Sequence, residues 1–242
     1  MPSMPKYSDQ AQEDLILDSA AKCIQSSSLL DFTMSAISKE AGLSMGSIYK
    51  HIQSKEDVLV ALGYRSKVHF KNLVHQIFEL PLPPVAKIVA VQLMDHSLVS
   101  DIGFGPQLET LLGNESILKR ASRRWLEKFM EINIEVEDVF TQLLLHACES
   151  SELLVAQDEK ANLVNEIVTS SWSLCIGHTQ VAMQRGSRNI LDQGIPPPVR
   201  YESDATIIQT LKRLLNTYQW KSPLTSELIE YTCGQLQQSG LR

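Results

Sequence analysis

The chain has 242 residues, a formal net charge of −6, 43% apolar residues and 21% charged residues. These proportions are those of an ordinary folded chain able to bury a substantial core, which excludes the disordered and fibrous classes. The opening Met-Pro-Ser-Met-Pro-Lys lacks a charged-then-apolar leader, and no window approaches the roughly 18 apolar residues of a membrane span, so the expected location is the cytoplasm.

In chain order the hydrophobic spacing predicts helices near 9–27, 34–41, 45–52, 55–79, 84–99, 115–150, 159–185, 204–219 and 224–239, with a short helical turn near 105–112. The periodicity is that of helix throughout, with no sustained strand-like alternation, so the fold class is all-α. Breaks fall where Pro and Gly gather: Pro81 to Pro84, Gly103 to Pro106, Gly113-Asn114, and Gly186 to Pro198. Ser54 caps the long 55–79 helix, and Glu56 and Asp57 sit in its first turn where the helix dipole favours acids.

The most informative segment is 33–55. Thr33 is placed to cap a short helix whose Ile37 and Ala41 share one face. Gly42 supplies the positive φ of a tight inter-helix turn. After it, Leu43 and Ile48 face inward, leaving Met45, Ser47, Tyr49, Lys50 and His51 outside. A short helix with a polar and aromatic outer face, held on another by a glycine turn, is the arrangement that enters a DNA major groove. Gly46 leaves room for close approach, Met45 offers apolar contact to a thymine methyl, and Lys50 reaches a guanine edge.

Charge opposes that reading. Lys6, Lys22, Lys39, Lys50 and Lys55 are outnumbered by Asp9, Glu13, Asp14, Asp18, Asp31 and Glu40, whereas a general nucleic-acid binder shows a basic stripe. Placement answers it: from 41 to 55 there are Lys50, Lys55 and His51 and no acid. The acidic remainder argues against a membrane surface.

Segment 14–58 resembles the DNA-binding domain of the TetR/AcrR family of bacterial transcriptional regulators. The likeness opens at Ile16-Leu-Asp-Ser-Ala-Ala21 and continues through Ile37-Ser-Lys-Glu-Ala-Gly-Leu-Ser44. It is strongest in Gly46-Ser-Ile-Tyr-Lys-His-Ile52 followed by Ser54-Lys-Glu-Asp57. Ser28 replaces the family's usual Gly at the end of the first helix, where positive φ would carry a steric cost, and Ile52 replaces a usual Phe. The resemblance implies DNA contact by Thr33, Ser44, Met45, Gly46, Ser47, Tyr49, Lys50, His51 and Lys55, with Thr33, Tyr49, His51 and Lys55 on phosphate. The ordinary alternative for Tyr49 is packing at the helix junction, and for His51 capping of its own helix.

It further implies a three-helix DNA-binding head over 1–55, joined by helix 55–79 to a larger helical effector-binding and dimerisation domain over 80–242. The partners expected are double-stranded operator DNA, a second copy of the chain through 159–185 and 204–219, and a small lipophilic effector. In 159–185 apolar residues lie almost all round, which demands burial on more than one face, and Leu211, Leu214, Leu215 and Tyr218 suit the second helix. Effector candidates are Met94, Phe104, Trp125, Phe129, Trp172 and His178, each of which otherwise belongs to apolar core. Lys119, Arg120, Arg123, Arg124 and Lys128 form a basic run, which on a helix is ordinarily a solvated face.

Cys23, Cys148, Cys175 and Cys233 lie far apart without a CxxC pair and read as reduced thiols. Cys175 and His178 have i, i+3 spacing but no further ligand nearby, so no metal or cofactor is expected. Nor is there a nucleophile elbow, a phosphate-binding loop or a dinucleotide fingerprint, so no catalytic residues and no enzyme activity are expected. Two alternatives stand beside the ligand-responsive repressor. One is a regulator governed by a protein partner or by DNA alone. The other is a helical interaction protein that has lost DNA binding.

Overall fold

The computed structural model describes residues 8–99, 102–188 and 200–242. Among the described residues it contains α-helices α1 (Asp9–Ser26), α2 (Met34–Ala41), α3 (Met45–His51), α4 (Lys55–Glu79), α5 (Pro84–Leu93), α6 (Gly105–Leu112), α7 (Glu115–Leu118), α8 (Arg123–Glu149), α9 (Lys160–Ser187), α10 (Thr206–Leu215) and α11 (Ser226–Gln238). An isolated antiparallel bridge pairs Leu153 with Trp220. The all-α expectation holds. The chain forms two compact units, the first from residues 8–68 and 102–133, the second from 69–99, 134–188 and 200–242. This differs from a division at the end of the head, because 102–133 packs with the head.

In the first unit, Ser8 caps α1 by accepting Ala11 N–H at 3.2 Å. Ile16, Leu17, Ala20 and Ile24 make its buried stripe, packed with Phe32, Ile37, Ile48 and Ile52 and with Leu108, Leu112, Trp125 and Phe129 from α6 and α8. A Cβ on Gly63 would collide with Leu112 Cδ1, so any side chain there would displace that leucine's tip. Ser28 avoids the expected cost: its φ is not positive, and its hydroxyl accepts Leu30 N–H at 3.1 Å and Asp31 N–H at 3.0 Å, a side-chain turn replacing a glycine cap.

Two expected helices are interrupted. The 115–150 stretch breaks at Lys119–Ser122, because the N–H of Ser122 is taken at 2.6 Å by the buried carboxylate of Asp57 as α8 begins. The 84–99 helix ends at Leu93. Met94 is extended, Asp95 N–H donates to the Leu241 carbonyl at 2.8 Å, and Asp95 caps a 3-10 turn over His96–Leu98.

The second unit is centred on α5, whose Val85, Val89, Ala90 and Leu93 are buried among residues of α8, α9, α10 and α11. The helix starts at a proline, where the missing N–H is harmless. Trp220 follows α10 and donates its indole N–H to the Leu215 carbonyl at 2.8 Å. Much of the expected break at 186–198 lies outside the described residues.

Candidate nucleic-acid interface

Helices α2 and α3 carry the expected outer face. Thr33 Oγ1 accepts Ala36 N–H at 3.1 Å and Ser44 Oγ accepts Ser47 N–H at 3.1 Å, so each short helix begins on a hydroxyl cap. Gly42 adopts φ 63° and closes α2, with Leu43 N–H returning to the Ser38 carbonyl at 3.1 Å. Ile37 and Ile48 are fully buried and seat the pair on the unit's core. Thr33, Ser44, Gly46, Tyr49 and Lys50 are exposed, and Met45 and Ser47 partly so. A Cβ at Gly46 would meet only Ser44 Oγ, at 3.8 Å, so the space before it is open.

Three of the expected contact residues have partners within the chain. His51 is buried, 5% exposed, with Nδ1 3.8 Å from Glu13 Oε2. The reason is helical spacing: His51 falls on the stripe of Ile48 and Ile52, which the core requires. Lys50 is exposed but engaged, its Nζ 2.7 Å from Asp9 Oδ1. That ammonium, by hydrogen bond and then by charge, holds the Asp9 carboxyl below its ordinary range. Lys55 is half-buried, donating to the Leu30 carbonyl at 3.3 Å over the Phe32 ring.

Residues 16–62 match the family described as bacterial regulatory proteins, tetR family. Over this segment the chain is similar to the DNA-binding domain of the TetR family. Similar solved structures include a TetR-family transcriptional regulator from Agrobacterium tumefaciens, 17% identical, with TM-score 0.54 over 88% of this chain and 100% of that one. RolR in complex with resorcinol is 14% identical, with TM-score 0.54 over 93% and 94% of the two chains. The complex of triclosan with SmeT, a protein of Stenotrophomonas maltophilia, is 19% identical, with TM-score 0.51 over 89% and 95%. At these identities the likeness is one of fold. Comparison with curated proteins gave no match.

The six effector candidates are divided between the two units. Trp125 and Phe129 are buried in the first unit and Phe104 packs against the same core. Met94 is fully buried in the second unit. Trp172 stands 50% exposed on α9. His178 is half-buried against Tyr201, ring centroids 5.5 Å apart, and burial followed by the charge of Arg185 lowers its pKa. A shallow groove in the second unit is lined instead by His75, Phe78, Asp138, Val139, Gln142 and Leu143.

Helix α10, expected at a dimer surface, uses much of its apolar side within its own unit. Ile207, Ile208, Leu211 and Leu215 are buried within their own unit, and the Tyr218 hydroxyl donates to Glu166 Oε1 at 3.1 Å. Cys175 is partly buried, and burial pushes its thiol up to about 12. Among the described residues no helix is long and apolar enough to cross a membrane, and no group of three His, Cys, Asp or Glu could hold a metal.

Three residues escaped the sequence reading. Glu13, Asp57 and Asp9 are acids that engage, respectively, Arg124, Ser122 and Lys50. A signal existed for the first: Glu13 lies on the inward stripe of Ile16, Leu17 and Ala20, where an acid demands a partner.

Proposed function

We propose that the chain is a transcriptional repressor that binds a palindromic operator as a dimer and is released by a small lipophilic effector. One observation carries the DNA reading: α3 begins on a capped N-terminus and presents Gly46, Tyr49 and Lys50 outward. Nothing in the chain itself crowds Gly46, so its small size suits an approaching groove wall. Thr33, Ser44, Met45, Ser47 and Lys55 complete the contact face. The buried His51 leaves it, and Lys50 must exchange Asp9 for DNA.

The effector reading rests on likeness of fold to RolR, bound to resorcinol, and SmeT, bound to triclosan. Both ligands are phenols, which accords with a lipophilic aromatic molecule. Such a ligand acts only through differential affinity: binding the DNA-incompetent state roughly 100-fold more tightly supplies about 2.7 kcal/mol. The dimer surface is assigned to α9, whose Trp172 and Val181 are exposed.

The Lys50–Asp9 pair favours a second reading, an interaction protein whose recognition face is neutralised from within. Selection of bound sequences from a random duplex library at near-physiological salt decides between them. Enrichment of a palindrome, lost in Tyr49→Ala/Lys50→Ala, is the expected result. Absence of enrichment supports the interaction protein, and unchanged binding by the double variant overturns the assigned face.

A further inference from the structure

Helix α3 has seven residues, too few to hold a conformation or an orientation unaided. Its first end is fixed by the Gly42 turn. Its last end meets α8. The His51 backbone carbonyl accepts the Trp125 indole N–H at 3.0 Å, and Arg124 Nη1 lies 3.5 Å from the same oxygen. The carbonyls that close a helix have no partner within it and carry partial negative charge, so an indole N–H and a guanidinium are suited donors.

Arg124 does not stand alone there. Its Nη2 is 2.5 Å from Glu13 Oε2, Lys128 Nζ is 3.4 Å from Glu13 Oε1, and His51 Nδ1 faces the same carboxylate at 3.8 Å. Glu13 is 5% exposed, so its carboxyl meets these neighbours in a site largely closed to water. Lys128 also lies over the Trp125 ring, 4.6 Å from its centroid. One cluster thus joins α1, the last residue of α3 and the first turns of α8. The basic run of α7 and α8 divides accordingly. Lys119, Arg120 and Arg123 make surface pairs with Glu115, Glu56 and Glu127, while Arg124 and Lys128 turn to Glu13.

We infer that Arg124 and Trp125 are positioning residues of the recognition helix: they fix its C-terminal end, and through it the aim of Tyr49 and Lys50 into DNA. The inference rests on the DNA-binding reading for its consequence, but not for its geometry. Arg124 touches no DNA in this account. It acts through His51 and Glu13, so its loss degrades discrimination between sequences more than affinity for DNA in general.

The test compares the full-length chain with Arg124→Gln, Glu13→Gln/Arg124→Gln and Trp125→Phe, by amide hydrogen exchange and by binding of two duplexes. One duplex is that selected by the wild type and the other is of random sequence. Arg124→Gln is expected to speed exchange of the Ile48–Ile52 amides at least ten-fold relative to those of Ile16–Ile24. The double variant, which leaves no unpaired buried charge, recovers most of that protection. The ratio of specific to random binding falls at least ten-fold in Arg124→Gln. Trp125→Phe keeps an aromatic ring at the site but loses the N–H and part of the indole volume, and it is expected to repeat the pattern should Arg124→Gln fail to fold. Exchange that rises equally over both segments, or not at all, overturns the positioning role. Loosened amides with an unchanged ratio overturn its part in discrimination. If the wild type selects no duplex, the DNA reading fails, while the exchange data still decide whether α8 holds α3.

Discussion

The backbone N–H of Ser122 donates to Asp57 Oδ1 at 2.6 Å, across 65 positions of sequence. Asp57 is fully buried; its Oδ2 accepts Gln53 N–H at 2.9 Å, and its own N–H goes to Ser54 Oγ at 3.0 Å. One carboxylate therefore completes the cap of α4 and starts α8. Asp57→Ala leaves two backbone donors unsatisfied, and hydrogen bonds to a charged group are the strong kind, so a loss of about 2–4 kcal/mol is expected. Asp57→Asn, which keeps one acceptor, costs less. Urea denaturation of both variants is the check; a loss below about 1 kcal/mol for Asp57→Ala would remove this role.

The Lys50–Asp9 pair sets a different expectation, on DNA. Both side chains are largely exposed, so the pair adds little to stability. It does occupy the one lysine of α3. Asp9→Asn frees Lys50 and removes a negative charge beside the groove, so binding to the selected duplex tightens several-fold and the salt dependence steepens by about one in log–log slope. Lys50→Ala weakens binding and abolishes the effect of Asp9→Asn. A titration series in salt measures both. Equal tightening by Asp9→Asn with and without Lys50 would show a general field effect rather than release of that side chain.

Two serines near helix ends behave oppositely. Ser151, after α8, adopts φ 59°, while Glu152 N–H returns to the Ala147 carbonyl at 2.9 Å. A left-handed serine is strained by about 1–2 kcal/mol, part of which glycine loses again to unfolded-state entropy. Ser151→Gly is therefore expected to stabilise by roughly 0.5 kcal/mol. Ser28→Gly, although it restores the residue more usual in the family, loses three hydroxyl hydrogen bonds and destabilises by about 1 kcal/mol. Thermal melts of the two variants moving in the same direction would contradict the assignment.

The head was legible because its signals are local. Thr33, Gly42 and Ser44 act through backbone bonds within a few residues, and Ile37 and Ile48 follow helical spacing. His51 shows the limit: taking Leu43 and Ile48 as the inward positions left it outside, whereas the core uses the stripe of Ile48 and Ile52 and buries it. The break at Ser122 depends on Asp57, and the burial of Trp125 in the first unit depends on His51, so neither could be found along the chain. The effector candidates fared worst, since apolar character alone cannot tell a core from a pocket. The amphipathic α10 likewise offered a strong apolar face without indicating whether its own unit or a second copy covers it.

His178 predicts an acid dependence. Burial and the charge of Arg185 lower its folded pKa, and its ring packs on Tyr201. Unfolded, histidine titrates near about 6.5. The folded form therefore binds fewer protons, so stability falls as pH drops from about 6.5 toward the folded pKa and is unaffected well above it. His178→Asn should lose less stability than the wild type between pH 7 and about 5.5. Denaturation midpoints at both pH values measure this; parallel losses in the two proteins would assign the acid sensitivity elsewhere.

Trp172 bears on assembly. Helix α9 buries Val164, Ile167, Val168 and Ser171, yet leaves the adjacent Trp172 50% exposed and Val181, further along, 45% exposed. An exposed tryptophan on a long helix is costly in water and typical of an interface anchor. With the apolar side of α10 used inside its own unit, the proposed dimer surface is α9. Trp172→Glu places a charge where the partner's desolvated face would lie, and loss of a central anchor costs about 2–4 kcal/mol, or roughly a hundred-fold or more in dimer affinity. Sedimentation at micromolar concentration should then show monomers where the wild type gives dimers. Operator binding should weaken with it, because two half-sites are read together only when the protein's two-fold axis is intact. A Trp172→Glu protein that still sediments as a dimer would remove α9 from the interface. A wild type that is itself monomeric would remove the dimer.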